Sequence, residues 1–349
     1  MQSLKFSDYY GNWENASLQQ KEEEEQQTPF FFLSDFMYGG CLTFTAHLLH
    51  SLGKKHVFKI SKKGHERRTR DFGYGIEYQN VPLTVFDAIK YPFITDMYRH
   101  FDRLKKLKRN DVTIVIHDPG EISRHNEPYL KYWNIITIRK SMQNFLQVNF
   151  GIESQFLYHP FYVYHISHFG QDHYKRKEAV SISRVDFQKN IEIMLEANKT
   201  AKNPIKVYGW INKRYVTEKL DPAEFSRYYQ GKYDKSFSTI SKILANSKFM
   251  VDLSFMPMDG GGTQYTFLDA IYHNCAIILH RRWIENVDAQ YCDFKEDYNC
   301  YAVSNAKELS DLLNSNIDTT KVVQNARRLL VRHTSIIDEW KKLALDNLQ

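Results

Sequence analysis

The chain has 349 residues, of which 42% are hydrophobic and 25% are charged. This length exceeds that of one ordinary core and predicts two domains, and the composition excludes a disordered chain. Lysine and arginine exceed aspartate and glutamate by 47 − 41 = 6. Such an excess fits an anionic ligand or polymer, but many enzymes that act on neutral substrates share it.

The four cysteines, Cys41, Cys275, Cys292 and Cys300, show no CxxC spacing. They therefore suggest neither a zinc site nor a disulfide framework. We see no positive-then-apolar leader and no apolar run near the ~20 residues that span a bilayer. We expect a cytoplasmic protein with reduced thiols, in the host cell if the protein is viral, and no integral membrane partner.

Four segments follow one another along the chain. Residues 1–28 are polar and glutamate-rich and predict an N-terminal extension. Strand candidates alternate with helical runs in 29–165, and the alternation restarts in 166–325. This rhythm is typical of doubly wound parallel sheets. We therefore predict an α/β fold of two Rossmann-like domains facing across a cleft, with the first on the acceptor side. Residues 326–349 predict a C-terminal helix that crosses back to the first domain.

The stretch "SISRVDFQKN" sets Arg184 and Lys189 five positions apart across a predicted strand-to-helix turn. Free backbone N–H groups and the positive end of a helix dipole favour phosphate at such a turn. Arginine adds a fork that grips two oxygens at once. We predict a phosphate site here. Two ordinary surface cations are the alternative.

Three glycines, Gly260 to Gly262, lead through Thr263 into an amphipathic helix that carries Asp269. We predict an open loop at a helix N-terminus, with Gly261, Gly262 and Thr263 contacting a nucleotide. Asp269 is a candidate acceptor for ribose hydroxyls. The alternatives are a flexible surface loop and an ordinary helix charge.

A second glycine pair, Gly39 and Gly40, follows the first strand candidate. Paired glycines at that place let a ligand lie close to the backbone. Without the full GxGxxG pattern the signal is weak.

"VIHDPGE" puts His117 and Asp118 at the carboxyl end of an apolar strand, where open α/β sheets place ligand contacts. We predict that His117 donates to a sugar hydroxyl and that Asp118 orients an acceptor or takes its proton. An Asp-Pro turn with a capping aspartate is the alternative.

Cations in the first predicted domain are candidates for acceptor binding. Some lie in the basic and aromatic stretch at 62–78, and others close the strand "NIITIRK". The residues are Arg67, Arg68, Arg70, Arg139 and Lys140. The basic stretch suits DNA or a membrane surface equally.

Together these stretches resemble the GT-B glycosyltransferases over residues ~30 to ~330. "SRVDFQKN" is similar to that family's "GR…KG" phosphate turn, with Ser183 in the place of the glycine. "YTFLDAIYHNCAIIL" resembles the helix with the ribose-binding acid, and "IKVYGW", with Tyr208 and Gly209, resembles the strand that flanks the nucleobase.

Two departures concern the acids. In the family, the acid that opens the glycine loop stands eight residues before the helical acid. Here Asp259 lies ten residues before Asp269, so its role is in doubt. The helical acid is also aspartate rather than glutamate.

The resemblance implies a retaining enzyme that transfers a sugar from a UDP-sugar, UDP-glucose first among them, to a hydroxyl. Arg184 and Lys189 would then stabilise the leaving diphosphate, so no metal is required and Mg²⁺ at most stimulates turnover.

A looser resemblance, to the T-even bacteriophage DNA α-glucosyltransferases, rests on the "HD" after an apolar strand and on the "YT-L-acid" helix. It favours hydroxymethylated pyrimidines of duplex DNA as the acceptor. The alternatives are a transferase for polysaccharide or lipid-linked sugars and a non-catalytic module that binds nucleotide or nucleic acid.

Overall fold

A computed structural model describes residues 31–33, 39–54, 56–61, 70–82, 93–95, 112–124, 126–165, 176–234 and 236–346. The predicted N-terminal extension and two of the predicted acceptor cations, Arg67 and Arg68, lie outside these ranges.

The secondary-structure elements are as follows. The strands are β1 (Phe31–Leu33), β2 (His56–Ser61), β3 (Arg70–Gly73), β4 (Ile76–Pro82), β5 (Phe93–Ile94), β6 (Thr113–Ile116), β7 (Asn134–Thr137), β8 (Gln155–Phe156), β9 (Glu178–Ser181), β10 (Ile205–Tyr208), β11 (Tyr229–Gly231), β12 (Ser247–Asp252), β13 (Ala276–His280) and β14 (Tyr301–Val303). The α-helices are α1 (Gly39–Ser51), α2 (Glu127–Leu130), α3 (Lys140–Phe150), α4 (Ile191–Asn198), α5 (Lys213–Lys219), α6 (Pro222–Tyr228), α7 (Phe237–Leu244), α8 (Tyr265–Tyr272), α9 (Arg281–Glu285), α10 (Ala306–Asn314), α11 (Thr320–Ser335) and α12 (Ile337–Asp346).

The chain divides into two compact units. Unit 1 comprises residues 1–116, 121–136 and 337–349, and unit 2 comprises residues 117–120 and 137–336. Within the described ranges, no helix is long and apolar enough to cross a membrane.

Unit 1 is built on a largely parallel sheet. Its strands follow the order β3-β4-β2-β1-β5-β6-β7. The pairs from β4 to β6 are parallel, and β3 is antiparallel to β4. All four residues of β6 are buried, as expected for a strand covered on both faces. Helix α12 returns to this unit and packs on α1, where Phe44 and the buried Trp340 meet edge to face at 5.3 Å.

Unit 2 contains a second sheet in the order β11-β10-β9-β12-β13-β14. The strand pairs are all parallel. Numbered within the unit, this order is 3-2-1-4-5-6, that of a dinucleotide-binding Rossmann sheet. Strand order reverses between β9 and β12, so the rule for open α/β sheets puts a ligand crevice beyond the carboxyl ends of these two strands.

The division between the units falls earlier than the predicted boundary at 165/166. Residues 137–165 belong to unit 2, where long-range side-chain bonds hold them: Arg139 pairs with Asp259, and Tyr164 donates to Asp269. These bonds join positions more than 100 residues apart. A pattern of apolar runs carries no information about such bonds.

Candidate functional site

The switch point of the unit 2 sheet has cations on one side and acids on the other. Strand β9 leads into Ser183 and Arg184, and a 3-10 turn then carries Lys189 to the start of α4. Strand β12 ends at Asp252 and is followed by Ser254. The predicted phosphate turn therefore lies beside the end of the neighbouring strand.

Lys189 is held in a buried polar network. Its Nζ lies 3.2 and 3.3 Å from the two carboxylate oxygens of Asp252, donates to Ser254 Oγ, and lies 3.3 Å from Gln264 Oε1. Asp252 also accepts from Ser254 N at 3.0 Å and from Thr266 Oγ1 at 3.1 Å. Burial lowers the pKa of Lys189, and Asp252 opposes that shift. The ammonium group is thus fixed at the carboxyl edge of the sheet.

Arg184 differs from Lys189 in its exposure. Its side chain is 39% exposed, and the carboxylate of Asp186 lies 3.7 Å from its Nη1. A contact of this length at the surface contributes little. One cation of the predicted pair is therefore fixed, and the other is open to an incoming anion.

Gly209 brings the end of β10 against this turn. Its φ is +144°, and a Cβ placed there would lie 1.9 Å from the carbonyl oxygen of Ser183. Val185 N donates to Trp210 O at 2.8 Å across the same contact. Only glycine permits this approach, so Gly209 has a packing reason beside its predicted nucleobase contact. Burial raises the pKa of the preceding Tyr208.

The glycine run 260–262 is buried and closely packed, which differs from the predicted open loop. A Cβ at Gly260 would lie 2.8 Å from the carbonyl oxygen of Trp283, and one at Gly262 would lie 2.6 Å from Cγ of Arg139. Gly261 has φ +67° and donates its N–H to Trp283 O. These glycines serve close packing, because side chains at 260 and 262 would overlap their neighbours.

Arg139 and Asp259 form the buried ion pair behind this loop. Arg139 Nε donates to Asp259 Oδ1 at 3.0 Å, and its Nη2 donates to Oδ2 and to the carbonyl oxygen of His117. Ser141 Oγ and Gly260 N also donate to Asp259, at 2.7 and 2.9 Å. Arg139 was predicted to bind an acceptor. The structure instead buries it, with 6% exposed, where it holds the loop.

The turn with His117 and Asp118 was predicted to belong to the first domain, but residues 117–120 group with unit 2. Asp118 Oδ1 accepts from Gly120 N at 2.8 Å. Burial raises the pKa of Asp118, while Arg139 and Arg184 each lower it. Asp118 therefore lies within electrostatic range of the open cation of the predicted phosphate turn.

Two predicted nucleotide contacts on the far side of the loop are buried. Thr263 Oγ1 lies 3.0 Å from Nε2 of His333, and burial lowers the pKa of that histidine to about 4. Asp269 accepts from Tyr164 Oη at 2.8 Å, and burial raises its pKa to about 7. In this conformation, one oxygen of Asp269 is already engaged by a tyrosine.

The remaining predicted residues lie elsewhere. Gly39 and Gly40 begin α1 of unit 1, and Gly39 has φ +71°. Arg70 is exposed in β3. Lys140 begins α3, and its Nζ lies 5.8 Å from the centre of the Phe156 ring.

Sequence reasoning missed the acid that fixes Lys189 and the two oxygens beside it. Asp252 and Ser254 stand at the end of the apolar run "KFMVDLS", which is the signal used for His117 and Asp118. Gln264 caps the helix that carries Asp269. Polar residues at the end of a second buried strand are thus the signal that would have found them.

The site combines a fixed ammonium, an open guanidinium and a turn leading into a helix, beside a buried carboxylate with a raised pKa. Such a set can bind an anion of two or more phosphates and stabilise negative charge that develops on it.

No protein family model and no curated protein matches the chain. Solved structures do match it. HepE (Alr3699) of Anabaena, in complex with UDP-glucose, aligns with TM-score 0.66 and 11% identity, covering 92% of this chain and 100% of HepE. TarM of S. aureus aligns with TM-score 0.56 and 16% identity, over 76% of this chain and 57% of TarM. An alpha-glucosyltransferase (AGT) in complex with UDP gives 0.53 and 11%, over 92% and 94%. The predicted fold class is confirmed: the chain has the α/β fold of the GT-B glycosyltransferases.

Proposed function

We propose that the protein is a retaining glycosyltransferase that moves a sugar from a UDP-sugar, with UDP-glucose the first candidate, to a hydroxyl acceptor. The observation that carries the proposal is the pair Arg184 and Lys189 at the switch point, one cation open and the other fixed by Asp252. Structural neighbours with the same fold hold UDP-glucose or UDP, which supports the choice of donor.

Arg184 and Lys189 would bind the diphosphate of the donor. As the sugar departs, negative charge grows on the leaving UDP, and cations already in place stabilise it without reorganisation. They supply charge that a divalent ion supplies in other transferases. We therefore expect transfer without added metal, and Mg²⁺ at most stimulates it.

Two carboxylates complete the proposed roles. Asp269 would accept a ribose hydroxyl with the oxygen that does not face Tyr164. Asp118 would orient the acceptor or take its proton, and its raised pKa suits a group that exchanges a proton near neutrality. His117 would donate to a sugar hydroxyl.

The proposed acceptor is a hydroxymethylated pyrimidine base of duplex DNA. Three observations support it: the net charge of +6, the exposed cation Arg70, and the likeness to a phage alpha-glucosyltransferase. A second candidate is a wall or capsular polymer, which the likeness to TarM favours, since TarM was crystallised with alpha-GlcNAc-glycerol and UDP.

Release of nucleotide from a panel of NDP-sugars tests the proposal. We expect UDP release from UDP-glucose that is faster with hydroxymethylated duplex than with unmodified duplex. Release accelerated by a glycerol-phosphate polymer, and not by DNA, would select the second candidate. No release from any donor by a protein that still binds UDP would overturn the enzyme and leave a non-catalytic nucleotide-binding module.

A further inference from the structure

The exposed face of helix α11 carries positive charge without compensation inside the helix. The sequence of α11, "TKVVQNARRLLVRHTS", contains four lysine and arginine residues and no acid. All four are exposed, and they are Lys321, Arg327, Arg328 and Arg332. The opposite face packs into unit 2 through apolar residues, among them Val322, Val323, Ala326, Leu329 and Leu330.

Other helices of unit 2 balance their exposed cations with acids of their own. In α5, Arg214 pairs with Glu218 four residues later, and in α10 Lys307 pairs with Asp311 at the same spacing. Lys199, at the end of α4, pairs with Glu196. Such pairs are the ordinary condition of a solvated helix face. Helix α11 departs from that condition.

The structure gives two of the α11 arginines neutral partners. Arg327 donates to Asn274 Oδ1, and Arg328 donates to Tyr298 Oη, both at 2.8 Å. Arg332 lies 3.1 Å from a carboxylate oxygen of Asp293 and is 51% exposed. Two guanidinium groups thus keep their full charge at the surface.

We propose that this basic face of α11 contacts the phosphate backbone of duplex DNA. The guanidinium fork matches the geometry of phosphate oxygens, and a row of cations on one helix face suits a polyanion. An anionic membrane is the other surface of that charge, but a membrane-bound helix buries its apolar face in lipid. In α11 that face is in the protein core, and Val331, 63% exposed, is the one large apolar side chain among its exposed residues.

The inference rests on the proposed function only for its choice of DNA as the occupant. The binding surface lies apart from the residues assigned to the donor. Duplex binding and nucleotide release are therefore separate measurements.

Two triple variants with the same net charge test the proposal. The first is Lys321→Gln/Arg327→Gln/Arg328→Gln, and the matched control is Lys199→Gln/Arg214→Gln/Lys307→Gln. Each lowers the net charge of +6 by three. The control removes cations that have acids beside them in the folded protein.

Affinity for an unmodified duplex of about 20 base pairs is measured by fluorescence anisotropy between ~50 and ~200 mM salt. We expect the α11 variant to bind more than about tenfold more weakly at low salt and to reduce the slope of log affinity against log salt by about 2 to 3. The control should change affinity less than about threefold. Thermal melting and UDP binding should match the wild type in both. If the triple variant does not fold, Arg328→Gln alone should reduce the slope by about 1.

Equal losses in the α11 variant and the control would overturn the proposal, because net charge alone would then explain both. Binding of the wild type to phosphatidylserine vesicles and not to duplex would refute DNA as the occupant. If the duplex effect appears but no donor releases nucleotide, the proposed function fails and the surface stands. If transfer to DNA occurs and the α11 variant keeps the wild-type slope, the surface fails and the function stands.

Discussion

Replacing Lys189 by methionine separates its contribution to folding from its contribution to anion binding. Methionine keeps most of the length of the side chain and removes the charge. Asp252, which is buried, then loses its counter-ion but keeps hydrogen bonds from Ser254 N and Thr266 Oγ1. Removing one partner of a buried ion pair costs about 3–5 kcal/mol. Because Asp252 keeps those two donors, we expect a loss near the lower end, about 3 kcal/mol.

The double variant Lys189→Met/Asp252→Asn removes the orphaned charge. We expect it to recover at least about half of the lost stability, since replacing both partners of a buried pair is far less costly than breaking it. Affinity for UDP should not recover, because the cation is still absent. A charge-assisted hydrogen bond contributes about 1.5–3 kcal/mol, or roughly 10- to 100-fold in affinity.

Urea denaturation measures the stabilities, and isothermal calorimetry measures UDP binding. The reasoning is refuted if the double variant binds UDP as tightly as the wild type. It is also refuted if Lys189→Met alone is as stable as the wild type, because Asp252 would then not depend on this lysine.

Three further predictions concern the rest of the site. Asp118→Asn should lower the transfer rate by about 10²–10⁴-fold and leave UDP affinity unchanged, as measured by steady-state kinetics and calorimetry; a wild-type rate would remove Asp118 from the chemistry. Burial raises the pKa of Asp269 to about 7, so its ionisation destabilises the fold progressively as the pH rises from about 4 to about 7. Asp269→Asn should therefore be more stable than the wild type at pH 8, by up to about 4 kcal/mol, with a smaller gap at pH 5, while its UDP affinity falls; an equal gap at both pH values in urea denaturation would contradict the assignment. Gly209→Ala should destabilise the protein by more than about 2 kcal/mol, because its Cβ would overlap the Ser183 carbonyl oxygen. Gly40→Ala, whose Cβ meets nothing within 4 Å, serves as the control and should lower the melting temperature little.

The sequence predicts well what local pattern determines. Alternating apolar runs and helices predicted the fold class, because each parallel strand and its helix are coded by contiguous residues. The spacing of Arg184 and Lys189 across one turn identified the cations at the switch point for the same reason.

Pairings between distant positions were not predictable in this way. Arg139 and Asp259 are 120 residues apart, and nothing in either local stretch indicates the other. Their ion pair turns a predicted acceptor contact into a support for the glycine loop. The burial of that loop likewise depends on Trp283, from a helix that follows it in the chain.

Calorimetric titration of UDP into the wild type and into Arg184→Gln tests the central claim most directly. Arg184 is 39% exposed, and its acidic neighbour is 3.7 Å away, so the substitution should cost less than about 1 kcal/mol of stability. We predict that the wild type binds UDP and that Arg184→Gln binds it about 10- to 100-fold more weakly, with an unchanged melting temperature. Equal UDP affinity in the two proteins, or no binding of UDP by the wild type, would contradict a UDP-sugar site at this turn.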